Sequence, residues 1–156
     1  MRTIGLALAA ITPRNWDIRV EESRQLYFAY GSNMVVTQMH QRCPAAQDMG
    51  IARLDGWRLL MNQQGYATIM PDQSAYVLGV LWSLTSACEA ALDDYEEITT
   101  GLYTKTYCEI RGTKALVYVA TDTLPGHPLA GYLEAIIAEA YRRGFDPAYI
   151  TRYLKP

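Results

Sequence analysis

Cysteine and histidine are scarce in this chain of 156 residues: three cysteines (Cys43, Cys88, Cys108) and two histidines (His40, His127). No two cysteines and no two histidines stand at a metal-ligand spacing, so neither a structural zinc site nor an iron–sulfur cluster is expected. An odd, widely spaced cysteine count also argues against a disulfide scaffold and for a reducing, cytoplasmic setting. Basic clusters are missing too. Fourteen Lys and Arg against sixteen Asp and Glu give a formal charge of -2, with no basic stripe of the kind nucleic acid requires. No run approaches the roughly 20 apolar residues of a membrane span. Phenylalanine occurs only twice, whereas tyrosine occurs twelve times. Tyrosine supplies core area as phenylalanine does, but it brings a hydroxyl that can furnish a polar site.

What is present suffices for a core, since 50% of the residues are apolar. There is no internal repeat and no low-complexity tract. Residues 1–25 read as an N-terminal extension, and 26–156 as one domain. The extension opens with Arg2 and a short apolar run from Ile4 to Ile11, a secretion signal in miniature. The run is at the short limit for such a signal, so a retained segment, an extra strand or an interface arm, is the expectation.

Leu26–Tyr30 reads as a buried strand ended by Gly31-Ser32-Asn33, after which Met34–Arg42 favours helix until Cys43-Pro44 stops it. The middle reads as short strands on tight turns. Ile51–Leu54 and Trp57–Met61 flank Asp55-Gly56; Tyr66–Met70 and Tyr76–Trp82 flank Pro71–Ser74; Leu102–Ile110 and Ala115–Ala120 flank Arg111–Thr113. Ser86 and Glu89 form a capping-box pattern ahead of Cys88, Ala91, Leu92 and Tyr95. Leu133, Ile136, Ile137, Ala140 and Tyr141 form a second helical stripe closed by Gly144, and Asp146-Pro147 opens a last short helix. The fold class is α+β: a small, mostly antiparallel β-barrel with packed helices.

Two segments carry candidate chemistry. In Tyr30-Gly31-Ser32-Asn33, a strand meets a helix through a turn whose backbone N–H groups can converge on an anion, with Ser32 or Asn33 as a helix cap. The plain alternative is a capped helix start. In Leu92-Asp93-Asp94-Tyr95-Glu96-Glu97, four carboxylates crowd a helix end, and the default is a solvated face. Helical angles separate them. With the apolar stripe at roughly -60° to +40°, Glu97 falls near ~180° and Asp93 and Asp94 point away. Glu96 falls near ~80°, at the border, where partial burial raises a carboxyl toward a general-base pKa. Ser32 has no base in reach of a triad, Cys43 reads as structural, and Tyr103, Tyr118 and Tyr132 either face the barrel mouth or pack in the core.

Leu26-Tyr27-Phe28-Ala29-Tyr30-Gly31-Ser32-Asn33 resembles the opening strand and loop of the gamma-glutamylcyclotransferase family (the AIG2-like superfamily). The likeness continues in order through Met39–Pro44, Ile51–Leu54, Ala67–Ile69, Val77–Trp82, Leu92–Glu96, Thr100–Tyr103, the Tyr132 helix and Gly144–Pro147. The resemblance implies cyclisation of a gamma-glutamyl compound to 5-oxoproline with release of the amine, and no cofactor or metal. It implies Glu96 as the catalytic residue, and a binding set of Tyr27, Phe28, Ala29, Tyr30, Gly31, Ser32, Asn33 and Tyr132. Many members carry glycine where this chain has Glu97, a carboxylate placed to raise the Glu96 pKa further or to alter the turn. The expected partner is a small gamma-glutamyl substrate, with no nucleic acid and no membrane, and a homodimer left open. The rival reading is a non-catalytic small-carboxylate-binding or interaction module on the same fold.

Overall fold

The computed structural model describes residues 23–155. The extension to residue 22 and its readings lie outside them; among the described residues the first strand begins at Gln25. In chain order the elements are β1 (Gln25–Ala29), a short turn of helix at Ser32–Met34, and α1 (Val36–Arg42). Then come β2 (Gln47–Met61), β3 (Ala67–Leu84), α2 (Ser86–Tyr95), β4 (Tyr103–Ile110) and β5 (Thr113–Ala120). The chain ends in α3 (Tyr132–Arg143) and α4 (Pro147–Tyr149), which runs on into a wide turn at Ile150–Leu154.

The α+β class holds, but the sheet is open. Its five strands lie in the order β2-β3-β1-β5-β4, so β2 and β4 are edges rather than partners. All neighbours are antiparallel except β1 and β5. Strand β1 sits in the middle, and Tyr27, Phe28 and Ala29 are accordingly buried. A barrel was expected because seven short strands were counted, and two of the turns that divided them are not turns. Asp55-Gly56 and Pro71–Ser74 face each other across the β2–β3 ladder, whose register jumps between Asp55↔Tyr76 and Trp57↔Pro71. Gly56, with φ +83, absorbs its share of the irregularity as a bulge. Four expected strands are therefore two long ones. Their true turn lies at 62–66, where the Tyr66 amide donates to Asn62 Oδ1 at 3.0 Å.

Side chains rather than a ladder bridge the curved sheet. The Tyr103 hydroxyl donates to the Ala67 carbonyl at 3.3 Å, the Ala120 amide donates to Thr68 Oγ1 at 3.0 Å, and the Arg111 guanidinium donates to the Ile51 carbonyl. Arg111 and Gly112 form the β4–β5 turn, both with positive φ (54° and 74°), the two-residue geometry that suits strand twist. Thr85, one residue earlier than expected, caps α2 by accepting from the Cys88 amide at 3.2 Å. Gly144 closes α3 with φ 81, and Asp146 caps α4 through the Ala148 amide. Ile136 and Ala140 are buried as the stripe required, whereas Tyr141 is exposed. Among the described residues no helix is long and apolar enough to cross a membrane.

Candidate active site

Helix α2 stops in a way that aims one carboxylate. The Ile98 amide reaches back to the Asp93 carbonyl at 3.1 Å and the Glu97 amide to the Asp94 carbonyl at 3.2 Å. This paired closure needs a left-handed residue after the cap, and Glu97 takes that conformation with φ 52. The position suits glycine, so Glu97 stands there against its own backbone preference. Helical angles no longer apply beyond Tyr95, and Glu97 lines the same cleft as Glu96 instead of pointing away from it. Asp93 also departs from expectation. It accepts from the Tyr118 hydroxyl at 2.6 Å and from Lys105 Nζ at 3.0 Å, tying α2 to the β4–β5 hairpin.

The cleft encloses about 710 Å³, part of it open to solvent. Tyrosines dominate its wall: Tyr27 and Tyr30 from the β1 side, Tyr66 from the β2–β3 turn, Tyr103 from β4, Tyr118 from β5 and Tyr132 from α3. Gly31, Ser32, Asn33 and Glu96 complete the polar part. Burial pushes the Tyr132 phenol up to about 12, and Tyr27, Tyr30, Tyr103 and Tyr118 are raised in the same direction. All five are therefore neutral hydroxyls at ordinary pH. The Tyr132 hydroxyl accepts from the Ala67 amide at 3.2 Å, and the Tyr30 hydroxyl donates to the Tyr118 carbonyl at 2.5 Å.

Burial also lifts the Glu96 carboxyl to about 7, partly offset by the positive charge of Arg42. Glu97 is not among the causes, so the expected effect of a second carboxylate is absent. Among the described residues the one side-chain donor to the Glu96 carboxyl is Asn33, whose Nδ2 lies 3.3 Å from Oε1 and also donates to the Tyr27 hydroxyl at 2.9 Å. Asn33 Oδ1 accepts from Arg42, which further reaches Ser32 Oγ at 3.2 Å, Gln38 Oε1 at 3.2 Å and the Tyr95 hydroxyl at 2.7 Å. Neither Ser32 nor Asn33 caps a helix, because both side chains are committed to this network. The backbone N–H groups of Gly31 and Ser32 have no partner among the described residues.

Of the expected site residues, Tyr27, Tyr30, Gly31, Ser32, Asn33, Glu96 and Tyr132 meet at this cleft. Phe28 and Ala29 do not. Both are fully buried against β3, where a Cβ added at Gly79 would lie 2.3 Å from the Ala29 carbonyl and 2.6 Å from the Phe28 ring. Gly31 has an ordinary φ of -124, so its value is space: a Cβ there would lie 3.2 Å from the Tyr132 hydroxyl. Sequence reasoning missed Arg42, Tyr66 and Tyr95. The excess of tyrosine over phenylalanine was the available signal for the last two. His40 is exposed, edge-on to Trp82, and Cys43 is buried with its thiol pushed up to about 12, first by that burial. Among the described residues no three His, Cys, Asp or Glu side chains converge as metal ligands would.

A family model described as "Gamma-glutamyl cyclotransferase, AIG2-like" matches residues 27–136, which hold both the loop and Glu96. The chain belongs to this family. It is similar to the gamma-glutamylcyclotransferases of Bos taurus and Homo sapiens, at 34% identity over 98 and 93 residues. Those alignments cover 56% and 53% of this chain and 52% and 50% of the relatives, so the chain spans about half the length of these curated relatives. A solved structure titled "Gamma-glutamyl cyclotransferase" superposes with a TM-score of 0.75 at 28% identity, covering 85% of this chain and 87% of that one. The residues matched to the gamma-glutamyl cyclotransferase family include the Tyr30–Asn33 loop and the end of α2, which line one cleft.

Proposed function

We propose that this family member cyclises a gamma-glutamyl amide to 5-oxoproline and releases the amine, with Glu96 as the proton carrier. The observation that carries this reading is a half-buried carboxyl raised to about 7, facing a tyrosine-walled cleft beside loop amides without a partner among the described residues. The substrate's own α-amine is the nucleophile, tethered five atoms from the γ-carbonyl. That tether alone is worth up to ~7–11 kcal/mol of barrier in well-oriented cases. The protein has three tasks left. The Gly31 and Ser32 N–H groups hold the α-carboxylate or the oxyanion of the tetrahedral intermediate. The Glu96 carboxylate takes a proton from the α-ammonium, freeing the lone pair for attack. The same carboxyl, now protonated, gives that proton to the departing nitrogen as the original amide C–N bond breaks, and the second proton shed by the ring nitrogen passes to the released amine, which leaves as an ammonium. A group with pKa near 7 performs both transfers at neutral pH.

The product decides between cyclisation and hydrolysis, because both release the same amine. A panel of gamma-glutamyl amides in ¹⁸O-water should yield unlabelled 5-oxoproline, and N-acetylating the α-amine should stop turnover. Labelled glutamate as the direct product would overturn the mechanism. Saturable binding with no turnover of any amide would favour a small-carboxylate-binding module.

A further inference from the structure

Arg42 is an arginine without an ion pair among the described residues. Its half-buried guanidinium instead contacts four neutral acceptors, Asn33 Oδ1, Ser32 Oγ, Gln38 Oε1 and the Tyr95 hydroxyl, and stacks 3.6 Å from the Tyr95 ring centroid. A positive charge held this way against neutral groups must be doing something other than neutralising a surface carboxylate.

Asn33 shows what. It is 3% exposed, and its backbone carbonyl is held by the Trp82 indole N–H at 3.0 Å, so only its side-chain amide can turn. A guanidinium has donors and no acceptor, so the Asn33 oxygen must face Arg42. The amide nitrogen then faces the other way, with one hydrogen on the Tyr27 hydroxyl and one on Glu96 Oε1. Without Arg42 nothing on that side prefers the oxygen. A turned amide would set Oδ1 against the Glu96 carboxylate, acceptor against acceptor. Glu96 Oε2, meanwhile, has no partner among the described residues and is not sealed from solvent, so it is the oxygen left to carry the proton.

We propose that Arg42 is the positioning residue of this site, locking the Asn33 amide so that Glu96 keeps one oxygen engaged and presents the other to the substrate. The proposal rests on Glu96 being the proton carrier. Its electrostatic side follows from the surroundings of Glu96. The phenols facing it are Tyr27 and Tyr30 from the β1 side, Tyr66 from the β2–β3 turn, Tyr103 from β4, Tyr118 from β5, Tyr132 from α3 and Tyr95 from its own helix. The charged groups are Arg42 from α1, Glu97 beside it, and Asp93, which is taken up by Lys105 and Tyr118. Arg42 is thus the nearby cation that favours the ionised form of Glu96. Lysine could keep that charge but not the planar fork, one nitrogen of which reaches Asn33 and Ser32 while the other reaches Gln38 and the Tyr95 hydroxyl.

The test is an NMR titration of protein labelled with ¹³Cδ-glutamate, with the Glu96 signal assigned by its loss in Glu96→Gln. Arg42→Met should raise the proton affinity of Glu96 roughly threefold to tenfold. Its kcat should fall about tenfold with KM little changed, and the acid limb of the pH profile should move to higher pH. Arg42→Lys, which needs no new apolar burial, should keep the Glu96 proton affinity within about twofold of wild type. It should still lose kcat several-fold, and that loss should vanish in an Asn33→Ala background. A folded Arg42→Met protein with unchanged Glu96 titration would overturn the proposal. So would losses at Arg42 and Asn33 that simply multiply, or an Arg42→Lys protein as active as wild type. The titration needs no turnover, so it reads the Arg42 coupling even if no gamma-glutamyl amide is cyclised. An active wild type with an equally active Glu96→Gln would refute the proton-carrier reading instead.

Discussion

Two glutamates at opposite places in the fold, one buried and one half-buried, have opposite chemistry. Glu139, on α3, is 8% exposed and accepts from both Arg142 and Arg143, while Arg143 also holds Asp48 on β2 at 2.6 Å. Burial alone would raise the Glu139 carboxyl, but the two guanidinium groups more than offset it and leave it below the ordinary range. Desolvation raises the half-buried Glu96 as well, but its partners are one amide donor and a nearby cation, and its carboxyl stands near 7. Desolvation acts on both; the number of direct cationic donors differs. One carboxylate ties α3 to β2. The other is left proton-hungry in a cleft, at a cost in stability.

The comparison can be broken at either end. The largest effect on stability belongs to Glu139→Gln. It leaves Arg142 without its partner and Arg143 half-paired, and should cost about 3 kcal/mol in denaturant unfolding. Activity per folded molecule should not change; an activity loss without destabilisation would show that α3 has another role. Next is Glu96→Gln, which should be more stable than wild type at pH 8 by on the order of 2 kcal/mol. The sign follows from proton binding. Between the unfolded value near 4.5 and the folded value near 7, the folded state holds the proton more tightly, so stability falls as pH rises through that window. The difference between the two proteins should therefore shrink toward pH 4. Glu139 slopes the other way, its contribution being present above ordinary glutamate pKa values and lost as pH falls below them. The smallest effect is at Glu97. Replacing this left-handed residue by glycine should stabilise by about 0.5–1 kcal/mol, read as a small rise in Tm. Destabilisation would mean that the Glu97 side chain holds the helix end.

Legibility in the sequence followed range along the chain. The Tyr27–Asn33 strand and loop, and the border position of Glu96 on α2, are local patterns, and the structure brings them to one cleft. Glu97 was misplaced because helical angles hold only while the helix does, and α2 ends at Tyr95; Asp93 lies within the helix, but the β4–β5 hairpin meets its face through Lys105 and Tyr118. Asp55-Gly56 was misread because a bulge with a left-handed glycine has the same composition as a hairpin turn, and only the partner strand distinguishes them. Phe28 and Ala29 share the segment of the loop but lie in the strand, packed at Gly79. Arg42, Tyr66 and Tyr95 reach the site through tertiary contacts, which no periodicity announces. The family match spans the loop, Arg42 and Glu96 alike, and the hydrogen bond from Arg42 to Asn33 is seen in the geometry.

The central claim is that the unpaired glutamate, not the paired one, carries the proton. It is tested most directly by the pH dependence of 5-oxoproline release from a gamma-glutamyl amide by wild type and Glu96→Gln. In wild type, kcat/KM should rise with pH through a midpoint near 7, the pKa of Glu96. In Glu96→Gln the rate should fall by about 10²–10⁴-fold and that limb should disappear. A Glu96→Gln protein that keeps the wild-type rate and the same limb would contradict it.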